Sequence, residues 1–420
     1  MPYPQRTLVR AGRLIDAGRS DVLPDRTIVV EGDRVVDVVA GGPEESGART
    51  VDLRRSTVLP GLIDCHAHMI GELESGQGYA ALVMRTAAQE AMTGVRHARE
   101  TVLAGFTTVR DVGTFRAFVD CALRDAIDAG DVLGPRMRCA GAFVTCSGGG
   151  GDVTGLAPVV DAVVPVDLRF GVADSADQVR ERVRKILHGG ADFIKVIATG
   201  AVLTEGTTPG APEFSEDELR AAVEEAALYG THVAAHAHGA EGIKRAVRAG
   251  VRSVEHGSLM DDEAIELMAS RGAYLVADIY CGDWIAEEGR RGGWSADVIR
   301  KNDETTDAQR DGFTKAVKAG VRVAYGTDSG VYPHPMVAKQ LSYMVRFGMT
   351  PMEAIRSATV VAAALIGWSD RVGALEPGAF ADLIAVEGDP LEDIALLEDV
   401  PFVMKGGEVV KTAAAEGLPS

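Results

Sequence analysis

Between residues 58 and 368 the chain alternates short apolar runs with stretches of helical spacing, and this alternation restricts the fold more than any other feature. Such a pattern is the sign of parallel strands joined by crossover helices. Eight runs qualify: Leu59 to His68, Thr107 to Gly113, Arg136 to Phe143, Phe193 to Gly200, Val233 to His238, Ser253 to Gly257, Tyr274 to Tyr280 and Val321 to Asp328. Eight strand–helix units predict an α/β fold of the (β/α)8 TIM type, whose usual size is about 250 residues before insertions. An open, doubly wound sheet is the alternative.

The flanks read differently. Leu8 to Arg10, Thr27 to Glu31 and Arg34 to Val39 at one end, and Phe380 to Glu387 and Phe402 to Lys411 at the other, are short β-rich runs between Gly and Asp turns. Chain ends commonly lie close together. Residues 1–57 and 369–420 are therefore expected to form one small composite β-sandwich domain beside a barrel of residues 58–368.

Bulk properties narrow the partners. Hydrophobic residues make up 46 % of the chain, yet Asp and Glu interrupt them throughout, so no run of about 18 apolar residues reads as a membrane span. A formal charge of −18 makes phosphate backbones and anionic membranes repulsive partners. Five cysteines, at 65, 121, 139, 146 and 281, show no paired spacing, which argues against a disulfide framework and against a thiolate zinc site. With no signal-peptide core at the start, a cytoplasmic protein is expected, without nucleic-acid or membrane partners and assembled as a homo-oligomer.

The chemistry concentrates where the predicted strands end, the catalytic face of such barrels. His66 and His68 stand two apart on a strand, hence on one side, where both can reach one ion. With 9 histidines in 420 residues, chance supplies about 0.2 His-x-His pairs, and a single pair is weak by itself. A second pair, His236 and His238, follows another apolar run; His256 ends Ser253-Val254-Glu255, and Asp328 ends the eighth run. Lys195, inside Phe193-Ile194-Lys195-Val196-Ile197, must be neutralised, paired or chemically altered, because an unpaired buried ammonium is costly. Imidazoles and a carboxylate around one pocket suit Zn²⁺ or a similar divalent ion, and a set this large suggests two.

These residues carry a resemblance. Pro-Gly-Leu-Ile-Asp-Cys-His-Ala-His, a lysine on the fourth strand, the fifth-strand histidine, Val-Glu-His-Gly and Gly-Thr-Asp-Ser-Gly are similar to the metal-dependent amidohydrolase superfamily. Within it the chain looks most like the imidazolonepropionase-related branch that contains prolidase-like dipeptidases and ochratoxin amidohydrolases. The likeness runs through Gly-Ala-Leu-Glu-Pro-Gly-Ala-Phe-Ala-Asp-Leu at 373–383. It implies that His66 and His68 hold one metal, that His236 and His256 hold a second, and that Lys195, carboxylated by CO₂, bridges them. It further implies that Asp328 binds metal and moves the proton of a metal-bridging hydroxide, and that His238 touches the substrate carbonyl.

The expected activity is hydrolysis of the amide bond of a dipeptide or N-acyl or aryl-acyl L-amino acid, with a cyclic amide of the imidazolonepropionase type as the alternative within enzymes. A catalytically silent binding barrel is the alternative outside them, and the retained ligand set speaks against it. Two loops are candidate substrate walls, Cys146 to Gly155 and Leu203 to Glu213. The backbone amides of Gly148 to Gly151, Gly149 and Gly150 above all, are expected to form a nest for a substrate carboxylate. Related sequences often have Gly-Gly-His-Gly at this run, and this chain lacks that histidine. His334, in Tyr-Pro-His-Pro, is placed at the pocket mouth, and His97, His188 and His232 are read as structural.

Overall fold

The step from Pro60 to Leu62 sets how the two parts of the chain meet. In the computed structural model, which describes residues 6–42, 45–71 and 79–412, the strand Arg49–Pro60 pairs through Val58, Leu59 and Pro60 with Ala385, Ile384 and Leu383. The first barrel strand, Leu62–Ala67, starts two residues later. Only glycine fits between them, because a Cβ on Gly61 would lie 2.2 Å from Thr107 Oγ1 and 2.6 Å from its Cγ2. The run expected as one strand from Leu59 is thus two, and Leu59 and Pro60 belong to the terminal sheet.

That sheet draws on both chain ends, as the β-rich flanks predict. Its order is Glu408–Lys411, Phe402–Lys405, Leu383–Glu387, Arg49–Pro60, Arg6–Asp16, Asp21–Glu31 and Arg34–Ala40. It is one seven-stranded mixed sheet that curls over a shared core of Val9, Ile28, Val35, Val58, Leu383 and Met404. The curl brings its far edge back to the C-terminal segment, where Arg34 bridges Phe380 and the Ala381 N–H donates to Asp33 O at 2.8 Å. Arg136 ties this sheet to the barrel: its guanidinium lies 3.4 Å over the Phe380 ring and forms a fork with Asp382 at 2.8 and 3.1 Å.

The barrel strands are Leu62–Ala67, Phe106–Asp111, a third in two pieces, then Ile194–Ile197, Val233–Gly239, Ser253–Leu259, Tyr274–Val276 and Arg322–Val323. Every pairing between neighbours is parallel. The third strand breaks at Gly141, whose φ is 72°. Arg136–Cys139 pairs with the second strand, and Phe143–Val144 pairs with the fourth. The barrel closes between its last and first strands, where the Cys65 N–H donates to Tyr325 O, and those of His68 and Asp328 donate to Ser329 O and His66 O, each at 2.8 Å.

Strand alternation sorts the side chains. Ile194 and Val196 join the main apolar core, as do Ala235, Ala237 and Val254. Their neighbours Lys195, His236 and Glu255 therefore face the barrel interior. Ser215 and Glu218 form the capping box expected from sequence.

Candidate metal centre

His66 and His68 leave the first strand toward the barrel axis, their rings 5.5 Å apart. Asp328 meets both, with Oδ1 3.4 Å from His66 Nε2 and 3.3 Å from His68 Nε2. His256 stands between the first strand and the second histidine pair, its ring 4.7 Å from His66 and 4.6 Å from His236. Three sets of ligand atoms fall within 4.8 Å of one another here: His66, His68 and Asp328; His256, Asp278 and Asp328; and His236, His238 and His256. Asp328 and His256 each belong to two sets. Lys195, 2 % exposed, completes the cavity floor.

Two of these positions cost the backbone strain. Glu255 already faces the interior, so regular alternation would send His256 outward into the helices. A left-handed backbone, φ 69° at His256, turns its side chain back to the axis, and Asp328 is held similarly at φ 59°. Non-glycine residues in this region cost on the order of 1–3 kcal/mol each and persist where the surroundings over-determine them.

Burial sets the protonation states. It pushes His68 down, His236 well down and His238 to about 3. Buried neutral imidazoles keep a lone pair for a metal. Burial pushes Asp328 up, but its close contacts with His66 and His68 outweigh it and hold the carboxyl well below its usual range. Burial also lowers Lys195 to about 8, against the pull of Glu255.

A second layer of contacts orients the rings. Nδ1 of His68 faces Gly113 O at 2.8 Å, and Nε2 of His236 faces Gly200 O at 3.3 Å. Carbonyls only accept, so these nitrogens carry the protons and the opposite ones are free. His238 Nδ1 meets Ser258 Oγ at 2.8 Å. His66 Nδ1 meets Glu255 Oε2, and His256 Nδ1 meets Asp278 Oδ1, each at 3.0 Å.

Sequence reasoning passed over Asp278, Glu255 and Arg110. Asp278 lies just past Tyr274–Val276, at the same strand end as the other site residues. Glu255 and Arg110 are charged residues in buried strands, the signal that singled out Lys195.

The glycine run does not form the expected nest. All four of its amides are already engaged: Gly148 with Asp152 Oδ2 at 2.9 Å, Gly149 with Cys146 O at 3.0 Å, Gly150 with Glu213 Oε2 at 2.8 Å and Gly151 with Thr145 Oγ1 at 3.2 Å. Gly150 and Gly151 do line the cavity. Gly149 sits behind them, where a Cβ would come within 2.7 Å of both Cys146 Sγ and Glu213 Oε2. The loop after the fourth strand closes over this run, with Thr204 Oγ1 donating to Gly150 O at 2.6 Å, and buried Lys301 donates to Thr204 O at 2.7 Å.

His334 is not at the mouth either. It is wholly buried, stacked on His97 at 4.3 Å with Nδ1 2.9 Å from Thr101 Oγ1. His97, His188 and His232 are likewise absent from the cavity lining.

A closed parallel barrel with imidazoles and carboxylates gathered where its strands end defines a class, the metal-dependent barrel hydrolases. The chain belongs to the amidohydrolase family, whose model matches residues 57–412, as the motifs imply. It is 34 % identical over 428 residues to the ochratoxinase of Aspergillus niger, covering 96 % of this chain and 86 % of that one. To an imidazolonepropionase of Streptomyces coelicolor it is 27 % identical, covering 90 % of each. The solved structure of an Xaa-Pro dipeptidase with methionine bound in its active site superposes with a TM-score of 0.90 at 40 % identity, over 97 % of this chain and 100 % of that one.

Glu213 is the testable link between loop and cavity. Burial pushes its carboxyl up to about 7, and the bond from the Gly150 N–H opposes that rise. Glu213→Ala is expected to speed hydrogen exchange at the Gly150 amide and raise KM several-fold with metal content unchanged. Glu213→Gln, which keeps the acceptor without the charge, retains that protection. Equal exchange in all three proteins contradicts the link.

Proposed function

We propose that this enzyme hydrolyses the amide bond of a dipeptide or N-acyl or aryl-acyl L-amino acid at a centre of two divalent ions, with Zn²⁺ the best match to the donor set. The observation that carries this is the sharing of Asp328 between two ligand sets on the catalytic face. Imidazole nitrogens and carboxylate oxygens without thiolates fit Zn²⁺. We assign His66, His68 and Asp328 to one ion and His236 and His256 to the other, with Lys195 between them. Lowered to about 8, the Lys195 amine is partly neutral near pH 7. In that form it adds CO₂, releases a proton and becomes a carbamate anion, which answers the cost of a buried ammonium.

Two divalent ions held by these residues would supply Lewis acidity at the scissile carbonyl and lower the pKa of a water to about 7. Asp328, kept anionic, accepts that water's proton and returns it to the departing nitrogen. His238, with Nδ1 committed to Ser258, presents Nε2 to the carbonyl oxygen. Around them Ile70, Leu82, Phe115, Phe143, Leu203 and Ile285 form an apolar wall, which supports a bulky apolar group on the substrate. The likeness to an Xaa-Pro dipeptidase and to ochratoxinase supports the same substrate class. Five free thiols support a reducing, cytoplasmic setting.

Lys195→Ala is expected to drop from two ions per chain to one and to lose most activity, with partial recovery in short carboxylic acids that stand in for the carbamate. Full activity without added acid contradicts its role. Asp328→Asn keeps an oxygen ligand but accepts no proton, so kcat falls by about 10² or more; near-normal turnover assigns the proton to another group.

With the glycine amides engaged, selectivity rests on the apolar wall. Burying an aromatic side chain is worth about 1.5–3 kcal/mol. Aromatic N-acyl amino acids should therefore exceed their N-acetyl counterparts in kcat/KM about tenfold or more, read from released amine. Equal values across acyl groups, with turnover of a cyclic amide instead, contradict this substrate class.

A further inference from the structure

Below the cavity floor the barrel interior holds an ion pair that the chemistry above does not use. Arg110, on Phe106–Asp111, is 0 % exposed. Its Nε donates to Cys65 O on the first strand at 2.6 Å, and its Nη1 donates to Ser253 Oγ on the sixth at 3.0 Å. Nη2 donates to both oxygens of Glu255, at 2.8 and 2.9 Å. Ser253 Oγ donates to the same carboxylate. Glu255 Oε2 is the atom that faces His66 Nδ1 at 3.0 Å.

The chain of contacts has one direction. A carboxylate paired with a guanidinium only accepts, so His66 carries its proton on Nδ1 and turns the Nε2 lone pair toward Asp328. The arginine and the serine together fix the carboxylate plane, since a guanidinium fork is rigid where an ammonium is not. The other rings lack this support: His68 leans on a neutral carbonyl, and Asp278 behind His256 takes a bond from the Gln309 amide at 2.7 Å. A buried Arg–Glu pair is commonly replaced by apolar residues without loss of stability, so filling the barrel does not explain it.

We propose that Arg110 and Glu255 are positioning residues that lock His66 in its Nε2-ligating tautomer and thereby set the affinity of the ion position built on His66, His68 and Asp328, independently of the other position. This rests on the two-ion reading above. Partners of this kind behind a metal-ligating histidine commonly change metal affinity by about 10- to 100-fold.

The test is a titration of the metal-free, full-length protein with Zn²⁺ against a chromophoric chelator. Wild type takes two ions. Arg110→Met and Glu255→Gln each weaken one ion by about 10- to 100-fold and leave the other within about threefold. Arg110→Lys, which keeps the charge and loses the fork, falls between. Should Arg110→Met fail to fold by circular dichroism, the nearly isosteric Glu255→Gln carries the test. Wild-type affinity for both ions in Glu255→Gln, or equal weakening of both, overturns the inference and leaves the two-ion reading standing. A wild-type protein that takes fewer than two ions overturns that reading, and this inference with it.

Discussion

The closure of the barrel is also the assembly of its site. Asp328 donates its backbone N–H to His66 O at 2.8 Å across the seam between the last and first strands, and the same residue sets its carboxylate against both first-strand histidines. One residue thus pairs the edges and joins two ligand sets. The left-handed backbone at Asp328 and at His256 is what this geometry costs, and the ladder on either side over-determines it. A seam shifted by one residue would turn Asp328 to the opposite face and separate the two sets.

Electrostatics explains why such an interior tolerates burial. Burial disfavours charge on His68, His236 and His238, and the acids are matched: Glu255 with Arg110, Asp328 with His66 and His68, and Asp278 with His256 and Gln309. Lys195 is the remaining group. Its ammonium is disfavoured by burial while acids surround it, and the carbamate proposed above would answer that cost. The polar floor is therefore a set of mutually compensated groups, each expensive alone.

Much of this was legible in the sequence because two-residue periodicity is a physical rule. His66, His68, Lys195 and His236 follow from alternation on buried strands, and Asp328 follows from its place at a strand end. His256 shows the limit of that rule, since alternation points it outward and only its strained backbone turns it in. The same rule, applied to Arg110 and Glu255, would have found the pair beneath His66. The nest at Gly148–Gly151 failed because the chain does not announce which amides are already taken, and the partner of Gly150 lies 63 residues away at Glu213. His334 failed for a similar reason: its burial depends on Thr101, 233 residues distant, and on stacking against His97. The break at Gly141 lay within a run that reads as one strand, and only the pairing of its two halves with different neighbours reveals it.

The claim on which the account turns is where two ions sit and what bridges them. Anomalous diffraction at the zinc edge, from crystals grown with Zn²⁺ and bicarbonate, tests it most directly. The account predicts two peaks, one against His66, His68 and Asp328 and one against His236 and His256, about 3.5–4 Å apart, with density for a carboxylate extending from Lys195 Nζ toward both. A single peak held by His236, His238 and His256, beside an unmodified Lys195, would contradict it.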